Sequence, residues 1–279
     1  MLATQRRSAI LAIVNEFGGA RVSELVDQLG VSDMTVRRDI ERLDGEGLLE
    51  RVHGGALAVV PRATDEPGFG AKSALMTAEK HAIALAAARM VRPGSTIGIS
   101  AGTTTYELAR AIRDVPHLTV VTNSVPVAQL LHDAEGAAHV VVLTGGVRTP
   151  SDALVGPVAV TALAGLHVDR LFLGAHGIDR EAGLTTPNLV EAETNRALVR
   201  SARSVCVLAD HSKVGLVGLS TFMGLNQVDT LITDSGISAR ARSVLEDQVE
   251  QLVLAEPVGS AVARRQTGDP DPSPVGAAT

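Results

Sequence analysis

Between residues 76 and 255, short runs of β-branched and aliphatic residues alternate with segments of helical period. No other feature of the sequence constrains the fold as much. Thr96–Ile99, Leu118–Val121, His139–Leu143, Arg170–Leu173, Val205–Ala209 and Thr230–Ile232 read as strands. Ala78–Met90, Thr104–Arg113, Ser124–Leu131, Val190–Ser201 and Ile237–Gln248 read as helices. Continuous apolar strands belong in a parallel sheet covered on both faces, and strands alternating with helices build βα units. The expectation is therefore an open α/β domain. Gly, Asp, Asn, Ser and Thr concentrate at the ends of the strand runs, and at the carboxyl ends of such sheets ligands bind.

The remaining chain divides around this domain. Residues 1–57 are charged and read as short helices followed by a hairpin. Residues 58–75, AVVPRATDEPGFGAKSAL, read as a linker. Residues 256–279 are rich in Pro, Gly, Ser and Asp, cannot pack a core, and are expected to be disordered. Hydrophobic residues make up 45% and aromatics 2%. The core must be aliphatic, and a stacking platform for single-stranded nucleic acid is disfavoured. Cys206 is the only cysteine, so no intrachain disulfide can form, which suits the cytoplasm. The eight histidines show no metal-ligand spacing. No metal, cofactor or membrane span is expected.

Within the first segment, Gln5–Phe17 reads as a helix ended by Gly18 and Gly19. Val22–Leu29 reads as a second, with Ser23 as its cap. After Gly30, Ser32 caps a third helix, with Met34, Ile40 and Leu43 facing inward and Val36 and Val31 nearby. Asp33, Thr35, Arg37, Arg38 and Arg42 supply its outer face. Such a helix can enter the major groove, where Arg reads guanine bidentately and Thr offers a hydroxyl or a methyl. Ser32 and Thr35 are placed to approach phosphates beside the helix N-terminus. Leu48–Val52 and Ala56–Val59 read as two strands of a wing turning at His53–Gly54–Gly55, whose glycines can let the backbone reach DNA. Charge opposes this reading. The chain carries −6, and residues 1–56 hold seven arginines against nine carboxylates, so any DNA contact depends on how the arginines cluster. A small helical dimerisation unit is the competing reading of the helix pattern.

The run VSELVDQLGVSDMTVRRDIERLDGEGLLERVHGGA resembles the N-terminal signature of the DeoR family of bacterial regulators, with its S-x-x-T-[IV]-R-R-D-[LI] recognition helix and wing ending H-G-G-A. The resemblance implies a winged helix-turn-helix with Ser32, Thr35, Arg37 and Arg38 facing DNA. It implies that Asp39 braces an arginine or a helix contact rather than touching DNA. Arg42, His53 and Gly54 complete the DNA-facing candidates, His53 being equally compatible with a plain surface role.

Residues 76–235 are similar to the DeoR effector domain, which shares a Rossmann-like fold with ribose-5-phosphate isomerase. The landmarks are ISAGTTTYELA, VVTNS, LTGG, LVGP, FLGAHGID, GLTTPNLVEAE, LADHSKVG and LITD, in that order. The loops have chemistry of their own. Gly102 permits close backbone approach, and Thr103 and Thr104 offer hydroxyls beside free helix N–H groups, a setting for phosphate or carboxylate. Asn123 can fix a hydroxyl or cap the next helix. Gly145 and Gly146 can pass close to a ligand. Arg148 can pair with an anion or sit in solvent. Glu191 can bind a polyol or simply complement a helix N-terminus. Lys213 can neutralise a phosphate as a point charge, with Asp210 orienting it, binding hydroxyls or pairing with it. The resemblance supports Lys213 as a ligand group. Ser100 stands where many family members have Asp, which removes a potential sugar-hydroxyl acceptor.

The combined expectation is a transcriptional repressor of carbohydrate genes. Its partners would be double-stranded operator DNA, a phosphorylated sugar or similar small anion, and further copies of itself as a dimer or tetramer. A phosphosugar isomerase with an accessory DNA-binding domain is the alternative, since related folds host catalysis. Asp179, Glu181, Glu191 and Asp210 are available as bases but form no catalytic constellation. A purely architectural DNA protein would leave the larger domain without a task.

Overall fold

The computed structural model describes residues 3–58 and 68–256. The 257–279 part of the tail and the 59–67 part of the linker lie outside the described residues.

The N-terminal domain is a winged helix-turn-helix. Helix α1 (Ala3–Phe17) stops at Gly18, whose φ of +74° leaves the helical region. Gly19 does not end the helix as expected; it opens strand β1 (Gly19–Arg21). Helix α2 (Val22–Leu29) begins one residue ahead of the expected Ser23 cap. The Glu24 carboxylate accepts the Arg21 backbone N–H at 2.8 Å, and Gly30 closes the helix at φ +64°. Helix α3 (Asp33–Gly45) is capped by Ser32, as expected. Strands β2 (Leu49–Val52) and β3 (Gly55–Ala58) form the wing, and β1 adds to its β3 edge, giving the antiparallel order β1-β3-β2. Ile10, Leu11, Val14, Leu25, Val36, Ile40 and Leu43 form the core at 2% exposure or less. Met34, expected inward, is 73% exposed. It lies two residues before Val36, about 200° around the helix, so the two cannot share the buried face.

Part of the expected linker is folded. Helix α4 (Phe69–Ser73) sits against α6 (Thr103–Ala111), with the Phe69 and Tyr106 rings edge to face at 5.5 Å. Helix α5 (Thr77–Ala88) then leads into the parallel sheet. Its strands are β4 (Thr96–Ile99), β5 (Thr119–Thr122), β6 (Val140–Leu143), β9 (Arg170–Gly174), β12 (Val205–Leu208), β14 (Thr230–Asp234) and β15 (Gln251–Ala255), in the order β15-β14-β12-β9-β4-β5-β6. Six were legible in the sequence; β15 was not. Helix α7 (Val125–His132) follows β5. A hairpin of β7 (Val147–Arg148) and β8 (Leu154–Val155) and helix α8 (Pro157–Leu163) precede β9. A second antiparallel sheet of β10 (Gly177–Asp179), β11 (Gly183–Thr186) and β13 (Ser220–Met223) lies around α9 (Leu189–Arg200), and α10 (Ala239–Glu246) precedes β15.

The sheet is covered on both faces, as continuous apolar strands require. Phe172, Cys206, Leu208 and Ile232 face α5, α6 and α7 through Ile83, Leu108 and Leu131. Their neighbours Leu171, Leu173, Val207 and Leu231 face the other way, onto α9, α10 and the small sheet through Leu198, Leu245 and Leu184. After β4 the chain runs outward through β5 to β6, then returns to place β9 on the other side of β4. That reversal is a topological switch point, where the loops at the carboxyl ends diverge and leave a crevice. Among the described residues, no helix is long and apolar enough to cross a membrane.

Candidate functional site: an exposed helix and a cavity

Two surfaces carry chemistry. On α3, the Ser32 hydroxyl accepts the Thr35 backbone N–H and lies 2.8 Å from the Thr35 hydroxyl, so both hydroxyls are partly engaged in capping. Asp39 is buried, and its carboxylate takes the Arg6 guanidinium of α1 at 2.5 Å. It braces an arginine within the fold. Arg37 is held by Asp33 at 2.5 Å and Arg42 by Glu46 at 3.0 Å, all exposed. The Arg37 pair lowers the Asp33 pKa and raises that of Arg37, mainly through their hydrogen bond. Arg38 is exposed and, among the described residues, forms no ion pair. Of the α3 arginines it alone has no competing carboxylate. His53 and Gly54 are exposed at the wing tip, Gly54 at φ +85°. Gly55 is different. It is buried, and a Cβ there would meet the Ala20 carbonyl oxygen at 2.3 Å. Its missing side chain serves the β1–β3 contact rather than DNA.

The second surface is a cavity of about 550 Å³ at the carboxyl ends of β4, β9 and β12, beside the switch point. Such a volume suits a small-molecule ligand. Six of the residues expected to contact a ligand line it: Gly102, Thr103, Thr104, Glu191, Asp210 and Lys213. Helix α6 starts at Gly102 without a side-chain cap, in contrast to α7, which Ser124 caps. The first N–H groups of α6 therefore open on the cavity wall. Asp210 is buried, and its carboxylate accepts both the backbone N–H and the hydroxyl of Ser212. Among the described residues it makes no ion pair with Lys213, which leaves that ammonium uncommitted.

Four expected ligand residues are not on the cavity wall. Asn123 is buried behind it, where its Oδ1 accepts the Ala101 N–H at 2.8 Å and its Nδ2 donates to the Leu154 carbonyl at 3.2 Å. It holds the Ala101–Gly102 loop in place. Gly145 and Gly146 have φ of +72° and +121°, and a Cβ on Gly146 would meet the Val155 carbonyl oxygen at 2.5 Å. These glycines shape the β7–β8 hairpin. Arg148 is exposed and paired with Asp152 at 2.7 Å across that hairpin. Ser100 is buried too. Its hydroxyl accepts the Gly174 N–H at 3.0 Å and so ties β4 to β9.

Sequence reasoning missed the side chains that α4 and α5 bring to the wall. Phe69, Lys72, Leu75 and Met76 come from the segment read as linker or its end. Lys80 comes from α5, is 4% exposed, and donates to the Lys72 and Leu75 carbonyl oxygens at 2.5 and 2.7 Å. Burial pulls its pKa down to about 8, opposed by the Asp210 carboxylate. Lys80 stands between Glu79 and His81 in the polar start of α5, so nothing in the sequence signalled that it would be buried. His176, Asn195 and Ser151 also line the cavity.

Two family models match the chain: the DeoR-like helix-turn-helix domain over residues 6–61 and the DeoR C terminal sensor domain over residues 75–235. The HTH-type transcriptional regulator GlpR of Haloferax volcanii is 37% identical, over 88% of this chain and 95% of its own. The lactose phosphotransferase system repressor of Streptococcus mutans is 35% identical over 82% and 91%, and the glycerol-3-phosphate regulon repressor of Escherichia coli 32% over 91% and 100%. Among solved structures, ribose 5 phosphate isomerase A from Neisseria gonorrhoeae aligns with 50% of this chain and 54% of its own, at 17% identity and a TM-score of 0.36. A likeness that distant says nothing of the chemistry here.

Proposed function

The chain belongs to the DeoR family of DNA-binding transcriptional regulators, and on that premise we propose that it represses carbohydrate genes and leaves its operator when a phosphorylated sugar or similar small anion fills the cavity. The observation that carries the effector class is the cavity wall. The uncapped N-terminus of α6, with Thr103 and Thr104, faces the same space as Lys72, Lys80 and Lys213. Backbone N–H groups and cations favour an anion, while Glu191 and Asn195 offer partners for hydroxyls. The names of the similar repressors, for a glycerol-3-phosphate regulon and a lactose phosphotransferase system, fit that chemistry.

The output is read through α3. Arg38 takes a guanine edge, and Arg37 and Arg42 reach phosphates by exchanging Asp33 and Glu46 for them. Ligand controls this output only through unequal affinity for the DNA-competent and DNA-incompetent arrangements. Homo-oligomerisation would pair two such helices on a repeated site. The reading is of a sensor without turnover. Asp179 is not on the cavity wall, and the N–H groups of Ala182 and Glu181 lower its pKa. Asp210 is committed to Ser212.

The test is binding of the full chain to duplex DNA flanking its own gene, and to duplexes selected from genomic fragments, titrated with sugar phosphates at fixed salt. We expect specific binding that one phosphosugar weakens. Arg38→Ala should cost about 1–3 kcal/mol in affinity for the cognate duplex, and Lys213→Ala should abolish the sugar-phosphate response while leaving DNA affinity intact. Specific binding insensitive to every sugar phosphate would overturn the effector class. Turnover of any of them would overturn the non-catalytic reading.

A further inference from the structure

A charged side chain buried in a protein is ordinarily matched by an opposite charge. Lys80 is not. Among the described residues no carboxylate lies within ion-pair distance of its ammonium, and its two partners are neutral backbone carbonyls. Those carbonyls belong to Lys72 and Leu75, in the segment that enters the sensor domain from the DNA-binding domain. Leu75 is half-buried, and its side chain packs against the core of the DNA-binding domain while also lining the cavity. The next residue, Met76, has φ 48° and ψ 44°, a left-handed conformation that costs a non-glycine residue free energy and persists only where its surroundings hold it. One ammonium in the cavity wall thus grips a strained joint that touches the DNA-reading domain.

We propose that Lys80 is the residue that couples the two domains: it latches the Lys72–Leu75 segment while the cavity is empty, and transfers to the anionic group of the ligand when the cavity fills, freeing the joint. This rests on the anionic-effector reading above and adds to it the residue and the moving part. Competition is the physical basis. An ammonium hydrogen-bonds a phosphate or carboxylate more strongly than it does a neutral carbonyl, and the released carbonyls and the strained Met76 give the segment a second arrangement to adopt. Lys213 and the α6 N-terminus bind the ligand without touching this segment's carbonyls, so Lys80 is the group that reports occupancy to the joint.

The test is hydrogen exchange on the full chain, reading the amides of Phe69, Lys72 and Leu75, which are bonded to the Pro150, Gly68 and Lys72 carbonyls. Inorganic phosphate is the probe and chloride at equal ionic strength the control. Without phosphate, Lys80→Met should exchange these amides at least tenfold faster than the natural chain, and Lys80→Arg, which keeps the cation, should fall between. Phosphate should speed the same amides in the natural chain and leave Lys80→Met unchanged. Equal exchange in the natural chain and Lys80→Met would overturn the latch. Protection of the Gly102–Thr104 amides by phosphate without any change at residues 69–75 would overturn the transfer while leaving the anion site standing. If phosphate protects nothing around the cavity, the anionic-effector reading and the transfer both fall, and the comparison without phosphate still decides the latch. The phosphate arm on the natural chain needs no variant, so misfolding of Lys80→Met would not shield the proposal.

Discussion

At the scale of single residues, Lys80 has a consequence in stability as well as in signalling. Its folded pKa of about 8 lies below the ordinary lysine value because burial penalises the charged form, with Lys213 and Lys72 adding repulsion and Asp210 and Glu107 offsetting part of it. Between the folded and unfolded values the unfolded chain binds more protons, so stability rises with pH across that window. The penalty is fully present below about pH 8 and is relieved as pH climbs to about 10.5. We expect the natural chain to gain on the order of 3 kcal/mol over that range relative to Lys80→Met, checked by urea unfolding at a series of pH values. A flat difference between the two would mean that the ammonium is better solvated than its burial implies. The residue scale is also where sequence reading was least reliable. Glu191, Asp210 and Lys213 reach the cavity. Arg148 does not, because Asp152 is nearer, a pairing that only the β7–β8 hairpin creates.

At the scale of elements, the wing depends on one close backbone approach. Gly55 lies against the Ala20 carbonyl, whereas nothing lies within 4 Å of a Cβ on its neighbour Gly54. Gly55→Ala should therefore push β3 off β1 and destabilise the N-terminal domain by about 1–3 kcal/mol, in the range of an overpacked core. Gly54→Ala should cost about 1–2 kcal/mol from its positive φ alone and leave the β1–β3 pairing intact. Thermal unfolding gives the stabilities, and cross-strand amide contacts between residues 20 and 56 separate the two mechanisms. Loss of those contacts in both variants would contradict the assignment. Elements with a strong local pattern were legible: α2 over its full length though not its cap, α3 with its Ser32 cap, and the six central strands. The elements that escaped are short or lack amphipathic period. The segment of β1 is three residues that begin with the second glycine of a pair, α4 is five residues within a Pro/Gly-rich stretch, and β15 follows a helix with no turn signal to set it apart.

At the scale of the whole molecule, there are two kinds of core. The clusters on either face of the parallel sheet share its strands and must melt together. The N-terminal core is separate, and Leu75 is the sensor-side residue that packs on it. We expect two unfolding transitions in the full chain. Asp39→Ala should lower only the one belonging to the N-terminal domain, because Arg6, at 14% exposure, would be left buried without its carboxylate. Breaking such a pair costs about 3–5 kcal/mol, and in a domain this small that lowers the midpoint by about 12–40 °C. Calorimetry of the two proteins checks it, and a single transition shifted as a unit would show that the domains fold as one.

The sequence by itself determined the kinds of structure present. The period-two and helical patterns, the glycines at turns, and the Ser32–Asp39 and Gly102–Thr104 runs are local, and local chemistry dictates a winged helix-turn-helix ahead of a parallel α/β sheet with polar, glycine-containing loops at its carboxyl ends. What only the tertiary structure decided was which side chains share a space. Asn123 went behind the loop it supports, Arg148 turned to Asp152, and Lys80 met carbonyls five and eight residues earlier in the chain. Such pairings depend on the order of strands and on how a connecting segment returns to the sheet. A pattern of hydrophobicity along the chain carries neither, because burial is set by what lies across the gap rather than by the residues on either side.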